Sequence, residues 1–109
     1  MSQNLNLLPL LRGFADGLRQ LTGENVDKLI LIGSYARGDQ TDESDIDIVV
    51  LLKILSEDLR DKIYDYLVDF MLEHDVVISL KLLTHSTYQE WKQKADPFTQ
   101  SIEKEGIEV

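Results

Sequence analysis

The sequence predicts an α/β fold, with a small sheet of three short strands and helices packed against it. Three observations carry that expectation: an N-terminal stretch with apolar residues at helical spacing, three short aliphatic runs, and helical segments between and after them. The chain has 109 residues and a mass of 12.5 kDa, which suits a single domain spanning residues 1–109. A chain of this size can bury a core without a disulfide or a structural metal.

The first element is a helix from about Leu7 to Leu21. Leu7, Leu11, Phe14, Leu18 and Leu21 recur at helical spacing, Pro9 falls in the tolerated first turn, and Gly23 supplies a stop. This apolar stripe reads as core rather than as partner surface. Val26 to Ile32 is an aliphatic run that ends abruptly at Gly33, as a buried strand does. Residues 33–44 (GSYARGDQTDES) are turn-rich, with one helical turn after Ser34, and Asp45 to Leu52 (DIDIVVLL) is a second strand. Ser56 caps a long helix reaching about Glu73, with Glu57 and Asp58 in its dipole-favoured first turn. Its apolar face is Leu59, Ile63, Tyr66, Leu67, Phe70 and Met71. Val76 to Leu83 is the third strand. Ser86 then caps a helix carrying Tyr88, Trp91 and Ala95, broken near Pro97, and a last helix from Pro97 to Glu105 stops at Gly106.

Acidic residues number 20 against 11 Lys and Arg, for a net charge of -9 and a pI near 4.5. Both halves of the chain are acidic, the C-terminal half more so. Such a surface repels polyphosphate backbones, so bulk DNA or RNA binding is not expected and a basic protein is the better electrostatic partner. There is no Cys, which excludes disulfides, thiolate metal sites and a Cys nucleophile and suits a reducing cytoplasm. No apolar run approaches the ~20 residues of a membrane span. Leu5, Leu7, Leu8, Leu10 and Leu11 lack a preceding basic region and a small-residue cleavage site, so no signal peptide is expected. The expected location is the cytoplasm.

The segment that carries chemistry is Gly33-Ser34-Tyr35-Ala36-Arg37-Gly38, followed by Ser44-Asp45-Ile46-Asp47. A strand running into a Gly-Ser turn brings backbone close to a ligand and offers free amides and the Ser34 hydroxyl to an anion. Strand side chains alternate faces, so Asp45 and Asp47 project to the same side. Two converging carboxylates form a hard oxygen site suited to Mg²⁺. An anion cradle beside such a pair is what phosphoryl or nucleotidyl transfer requires. A Walker loop fails, because Asp39-Gln40 follows Gly38 where Lys-Ser or Lys-Thr is needed. A calcium loop from Asp45 fails at Val49 and Val50, and the glycine spacing of a dinucleotide fingerprint is missing.

The pattern Gly-Ser, ten residues, Asp-x-Asp, filled here as GSYARGDQTDESDID, resembles the signature of the DNA polymerase β nucleotidyltransferase superfamily. The short chain and the Ser-x-Ala-Arg-Gly and Ser-Asp-x-Asp details resemble its minimal nucleotidyltransferase branch. The resemblance implies a mixed three-stranded sheet with helices packed on it, in the order α-β-α-β-α-β-α. It implies that Gly33 and Ser34 hold the phosphates of a nucleoside triphosphate and that Asp45 and Asp47 ligate Mg²⁺ in a two-metal site. It also implies a third carboxylate from the next strand. Asp75, at the start of HDVVISLKLL, is the acid available there, and period-two alternation puts it on one face with Val77 and Ser79. That acid position could equally coincide with Ser79, leaving Asp75 as a helix cap. Arg37 either neutralises triphosphate charge or pairs with Asp39 or Asp42. Tyr35 either stacks on a base or packs beside the turn, the second being favoured, and His74 and His85 face solvent at element boundaries.

The expected activity is Mg²⁺-dependent transfer of a nucleoside monophosphate, AMP from ATP, to a hydroxyl of a protein partner, with release of pyrophosphate. Minimal nucleotidyltransferases resemble antitoxins encoded with HEPN-domain toxins, which makes such a toxin the implied partner. A second expectation is a binding module that neutralises that partner and transfers nothing. A third is transfer to a small molecule of the aminoglycoside type.

Overall fold

The computed structural model describes residues 3–109, with side chains from Leu7 onward. In chain order the elements are α1 (Gln3–Thr22), β1 (Val26–Ile32), α2 (Ser34–Arg37), β2 (Ile46–Leu52) and α3 (Glu57–His74). They are followed by β3 (Ile78–Thr84), α4 (His85–Gln93), α5 (Pro97–Glu105) and β4 (Ile107–Glu108). The strands form one mixed sheet in the order β3-β2-β1-β4. β1 is antiparallel to β2 and β4, whereas β2 and β3 are parallel. A parallel pair needs a long crossover, and α3 supplies it.

The α/β class is as expected, but the sheet has four strands rather than three. β4 pairs only Ile107 and Glu108 with Leu31 and Ile30. Two residues after Gly106 are too few to show any alternation.

Alternation along the strands divides the core into two layers. Leu29, Leu31, Ile48, Val50, Leu52 and Leu82 face α1 and α3, against Leu11, Phe14, Leu18, Ile63 and Leu67. The Phe14 and Phe70 rings meet edge-on with centroids 5.0 Å apart. On the opposite face Ile30, Val49, Leu51 and Leu83 pack with Tyr88 and Ile102, while Trp91 and Phe98 close the rim. β2 is covered on both faces, which is why its sequence is a continuous apolar run after Asp47.

Several details differ from the sequence reading. α1 begins at Gln3, so Pro9 lies inside it rather than in its first turn; the fixed φ of proline is helical, and the ring forfeits one amide bond. α4 is capped by Thr84, whose hydroxyl accepts the Thr87 amide at 3.2 Å, not by Ser86. Ala95 lies beyond α4 at φ +55 and does not join Tyr88 and Trp91 on a helix face. β3 starts at Ile78, two residues later than expected. Among the described residues no helix is long and apolar enough to cross a membrane.

Candidate functional site

Because β1 and β2 are antiparallel, the end of β1 meets the start of β2, and Ile32 pairs with Asp47. The connection between them, residues 33–45, therefore sits over one end of the sheet. Gly33 opens it at φ 76, ψ -156, a region open essentially to glycine alone. A Cβ at this position would lie 2.6 Å from Asp47 Oδ2. Backbone and carboxylate are thus in direct contact.

One helical turn follows. The Ala36 and Arg37 amides both donate to the Gly33 carbonyl at 3.1 Å, and the Gly38 amide donates to Ser34 O at 2.8 Å from φ +84. The amides of Ser34 and Tyr35 lead this turn, where no helical acceptor precedes them. Tyr35 is half-buried against the core, as expected.

Asp47 shares its face of β2 with Val49 and Leu51 and is half-buried, while Asp45 is exposed at the head of the strand. Burial raises the Asp47 carboxyl above the usual aspartate value, and the negative charge of Asp45 raises it further. The positive charge of Arg37 acts in the opposite direction. Arg37 itself is held by two carboxylates, Asp39 at 3.2 Å and Glu105 of α5 at 3.7 Å. The Asp39 pair was legible in the sequence. The Glu105 pair was not, because nothing local links positions so far apart in the chain.

Asp75 lies at the end of α3 rather than on β3. It caps α3 in the left-handed region at φ 53, with its amide on Met71 O. Period-two alternation cannot be extended back to it, since β3 begins only at Ile78. The parallel register instead puts Ser79 beside Asp47. Among the described residues no group of three His, Cys, Asp or Glu side chains could hold a metal ion. Asp75 does line, with Asp42, Glu43, Asp45 and Tyr35, a cleft of about 400 Å³ next to the pair. Of the histidines, His74 packs on Phe70 at 4.2 Å, and His85 pairs with Asp27 at 3.3 Å at the opposite end of the sheet.

A profile of the nucleotidyltransferase domain matches residues 11–108. The chain belongs to that family. Among its relatives is the protein named "Putative protein adenylyltransferase MJ0141" of Methanocaldococcus jannaschii, 29% identical over 108 residues, which are 96% of this chain and all of the relative. A second protein of that organism, "Putative protein adenylyltransferase MJ0604", is 37% identical over 73 residues, 63% of this chain and 65% of its own length. The fold is similar to that of a solved "putative nucleotidyltransferase" from Sulfolobus solfataricus. That match has a TM-score of 0.60 at 22% identity and covers 96% of this chain and 80% of the other. It is also similar to a chain in a toxin–antitoxin structure with AMP-PNP, with a TM-score of 0.55 at 21% identity over 86% of this chain and 68% of that one.

A nucleotidyltransferase implies a nucleotide substrate and, as a rule, a divalent cation. The donor set of this nucleotidyltransferase fits one. Asp45 and Asp47 are hard oxygen ligands whose charges repel each other, and Asp47 is partly desolvated where its carboxylate lies against Gly33. Mg²⁺ is commonly held by one or two carboxylates, with substrate phosphates and water completing its shell.

Proposed function

We propose that this nucleotidyltransferase transfers AMP from ATP to a hydroxyl of a protein partner, with Mg²⁺ held by Asp45 and Asp47. The contact between Gly33 and Asp47 Oδ2 carries this reading, since it sets the start of the Gly-Ser turn directly against the carboxylate pair. Gly33, the Ser34 amide and hydroxyl, and Arg37 hold the triphosphate. Asp45 and Asp47 would hold the cation beside that cradle. When bound, the cation neutralises charge on the phosphates and polarises the phosphorus. The acceptor oxygen bonds to the α-phosphorus, the bond from that phosphorus to the bridging β-oxygen breaks, pyrophosphate departs, and the hydroxyl proton passes to water. Orientation and charge neutralisation account for the rate, and no covalent enzyme intermediate is needed.

The proposed partner is a HEPN-domain toxin. Relatives named as protein adenylyltransferases, a similar fold in a toxin–antitoxin structure and the net charge of -9 support a basic protein acceptor. One observation favours a second reading, in which the chain neutralises its partner by binding alone. The strand neighbour of Asp47 is Ser79 rather than an acid.

Labelled ATP, Mg²⁺ and the product of a neighbouring HEPN-type gene separate the two readings. Label on the partner with the parent protein, absent with Asp45→Asn/Asp47→Asn, supports transfer. Neutralisation that survives the double substitution, with no label anywhere, supports binding alone.

A further inference from the structure

α3 has two apolar faces, and the core covers only one of them. Ile63, Leu67 and Phe70 are buried. A second row, Tyr64, Val68 and Leu72, repeats every four residues and stays 36%, 47% and 78% exposed. Residues at that spacing line up on a helix about 6 Å apart, so the row is about 12 Å long. Two contacts locate the flank. The Tyr64 hydroxyl donates to Leu80 O of β3 at 3.5 Å, and Met71 Sδ accepts the Ile78 amide at 3.2 Å. β3 is an edge of the sheet. The row therefore follows an open strand edge, and Val77, 61% exposed, extends it beyond the end of α3.

Two further features say what covers this strip. Asp61, Asp65, Asp69 and Glu73 form an exposed acidic row of the same four-residue period on the adjoining flank, with Arg60 and Lys62 only at its start. The strip also leads into the site, because Asp75 and Val77 line the cleft that contains Asp45. A second copy of the chain is a poor occupant. It would set two acidic rows of chains at -9 against each other. An amphipathic helix with apolar residues at i, i+4 and i+7 and Lys or Arg beside them complements both rows.

We propose that the Tyr64–Val68–Leu72 strip of α3 docks a basic amphipathic helix of the acceptor protein, delivering its hydroxyl-bearing segment to the Asp45 cleft. This rests on the reading that the acceptor is a protein, and it assigns partner choice to a surface separate from the reacting groups. Apolar side chains fill the strip, and basic ones face Asp65, Asp69 and Glu73.

The test uses a fluorescent helical peptide of about five turns, with Leu at i, i+4 and i+7 and Lys on the flanks. A control peptide keeps every Lys and replaces Leu by Ser. Binding is followed by anisotropy at physiological ionic strength. The Leu peptide binds the full chain, and Val68→Asp/Leu72→Asp weakens it at least about tenfold. That loss arises even though the added carboxylates would strengthen a purely electrostatic attraction. Val68→Ser/Leu72→Ser weakens binding too, with unchanged circular dichroism, and Asp65→Lys/Asp69→Lys does the same. Asp45→Asn/Asp47→Asn leaves binding intact, so docking stands or falls apart from transfer. Equal binding of both peptides, or no effect of the strip variants, overturns the proposal. So does a dimer of the parent chain in sedimentation that Val68→Asp/Leu72→Asp disperses.

Discussion

Asp47 Oδ2 occupies the space that any side chain at Gly33 would take, 2.6 Å from the position of its Cβ. The path of the turn after β1 and the placement of the carboxylate on β2 are therefore a single constraint.

Gly33→Ala breaks that constraint twice, through the Cβ contact and through φ +76. The expected cost is about 1–3 kcal/mol in urea unfolding, with nucleotidyl transfer abolished. Parent-like stability together with retained transfer would refute the coupling.

Asp47→Asn separates function from stability. Burial and the charge of Asp45 raise the native carboxyl above its ordinary value of 3.8, so the native state binds the proton more tightly than the unfolded chain does. The benefit of the protonated form is complete below the unfolded value and disappears as pH rises through the native one. At neutral pH the ionised side chain costs stability. The amide is expected to melt higher at pH 7 and to be inactive. The advantage over the parent shrinks as pH falls through the raised native value and is gone below the ordinary aspartate value, which thermal scans across that range will reveal.

Arg37→Ala removes two partly exposed ion pairs, with Asp39 and Glu105. Solvent screens such pairs, so the melting temperature should barely move. If the guanidinium holds the triphosphate, KM for ATP rises about tenfold, the size of one lost charge-assisted hydrogen bond. An unchanged KM would leave Arg37 as a tie between α2 and α5.

Ser79→Asp puts an acid beside Asp47, one strand spacing of about 4.8 Å away. Three facing carboxylates should lower the melting temperature of the metal-free protein and enlarge the rise produced by Mg²⁺. Calorimetry with and without the cation measures both. Equal Mg²⁺ responses in the two proteins would mean that the Ser79 position does not face the cation.

Gly17→Ala should act against helix propensity. In a helix interior Ala is favoured over Gly by about 1 kcal/mol. Here a Cβ collides with the Tyr66 phenol, whose hydroxyl donates to Phe14 O at 2.9 Å. A net loss of about 1–3 kcal/mol is expected. Adding Tyr66→Phe should restore part of it, and a double-mutant cycle by urea unfolding measures the coupling.

Periodicity made the frame readable. β1 runs from Val26 to Ile32 and α5 from Pro97 to Glu105, because an apolar run ending at Gly33 and a proline-to-glycine segment are strong local signals. β4 was invisible because its two residues have no period, and only the edge of β1 makes them a strand. The same limit governs the site. Gly33, Asp45 and Asp47 lie within one short motif, and their meeting follows from a tight antiparallel connection. Asp75 and Ser79 depended on where a helix ended and a parallel strand began. A left-handed cap at Asp75 resets the alternation, and composition does not encode it. The tie from Arg37 to Glu105 needed the α5 layer to be in place first.

The head of β2 carries the two acids, and this strand has hydrogen-bonded neighbours on both sides and helices above and below. Amide protons in such a strand trade with solvent only when the entire molecule opens. Cation or nucleotide captured there will slow isotope exchange at those amides and raise the melting temperature, which makes differential scanning calorimetry a direct gauge of occupancy.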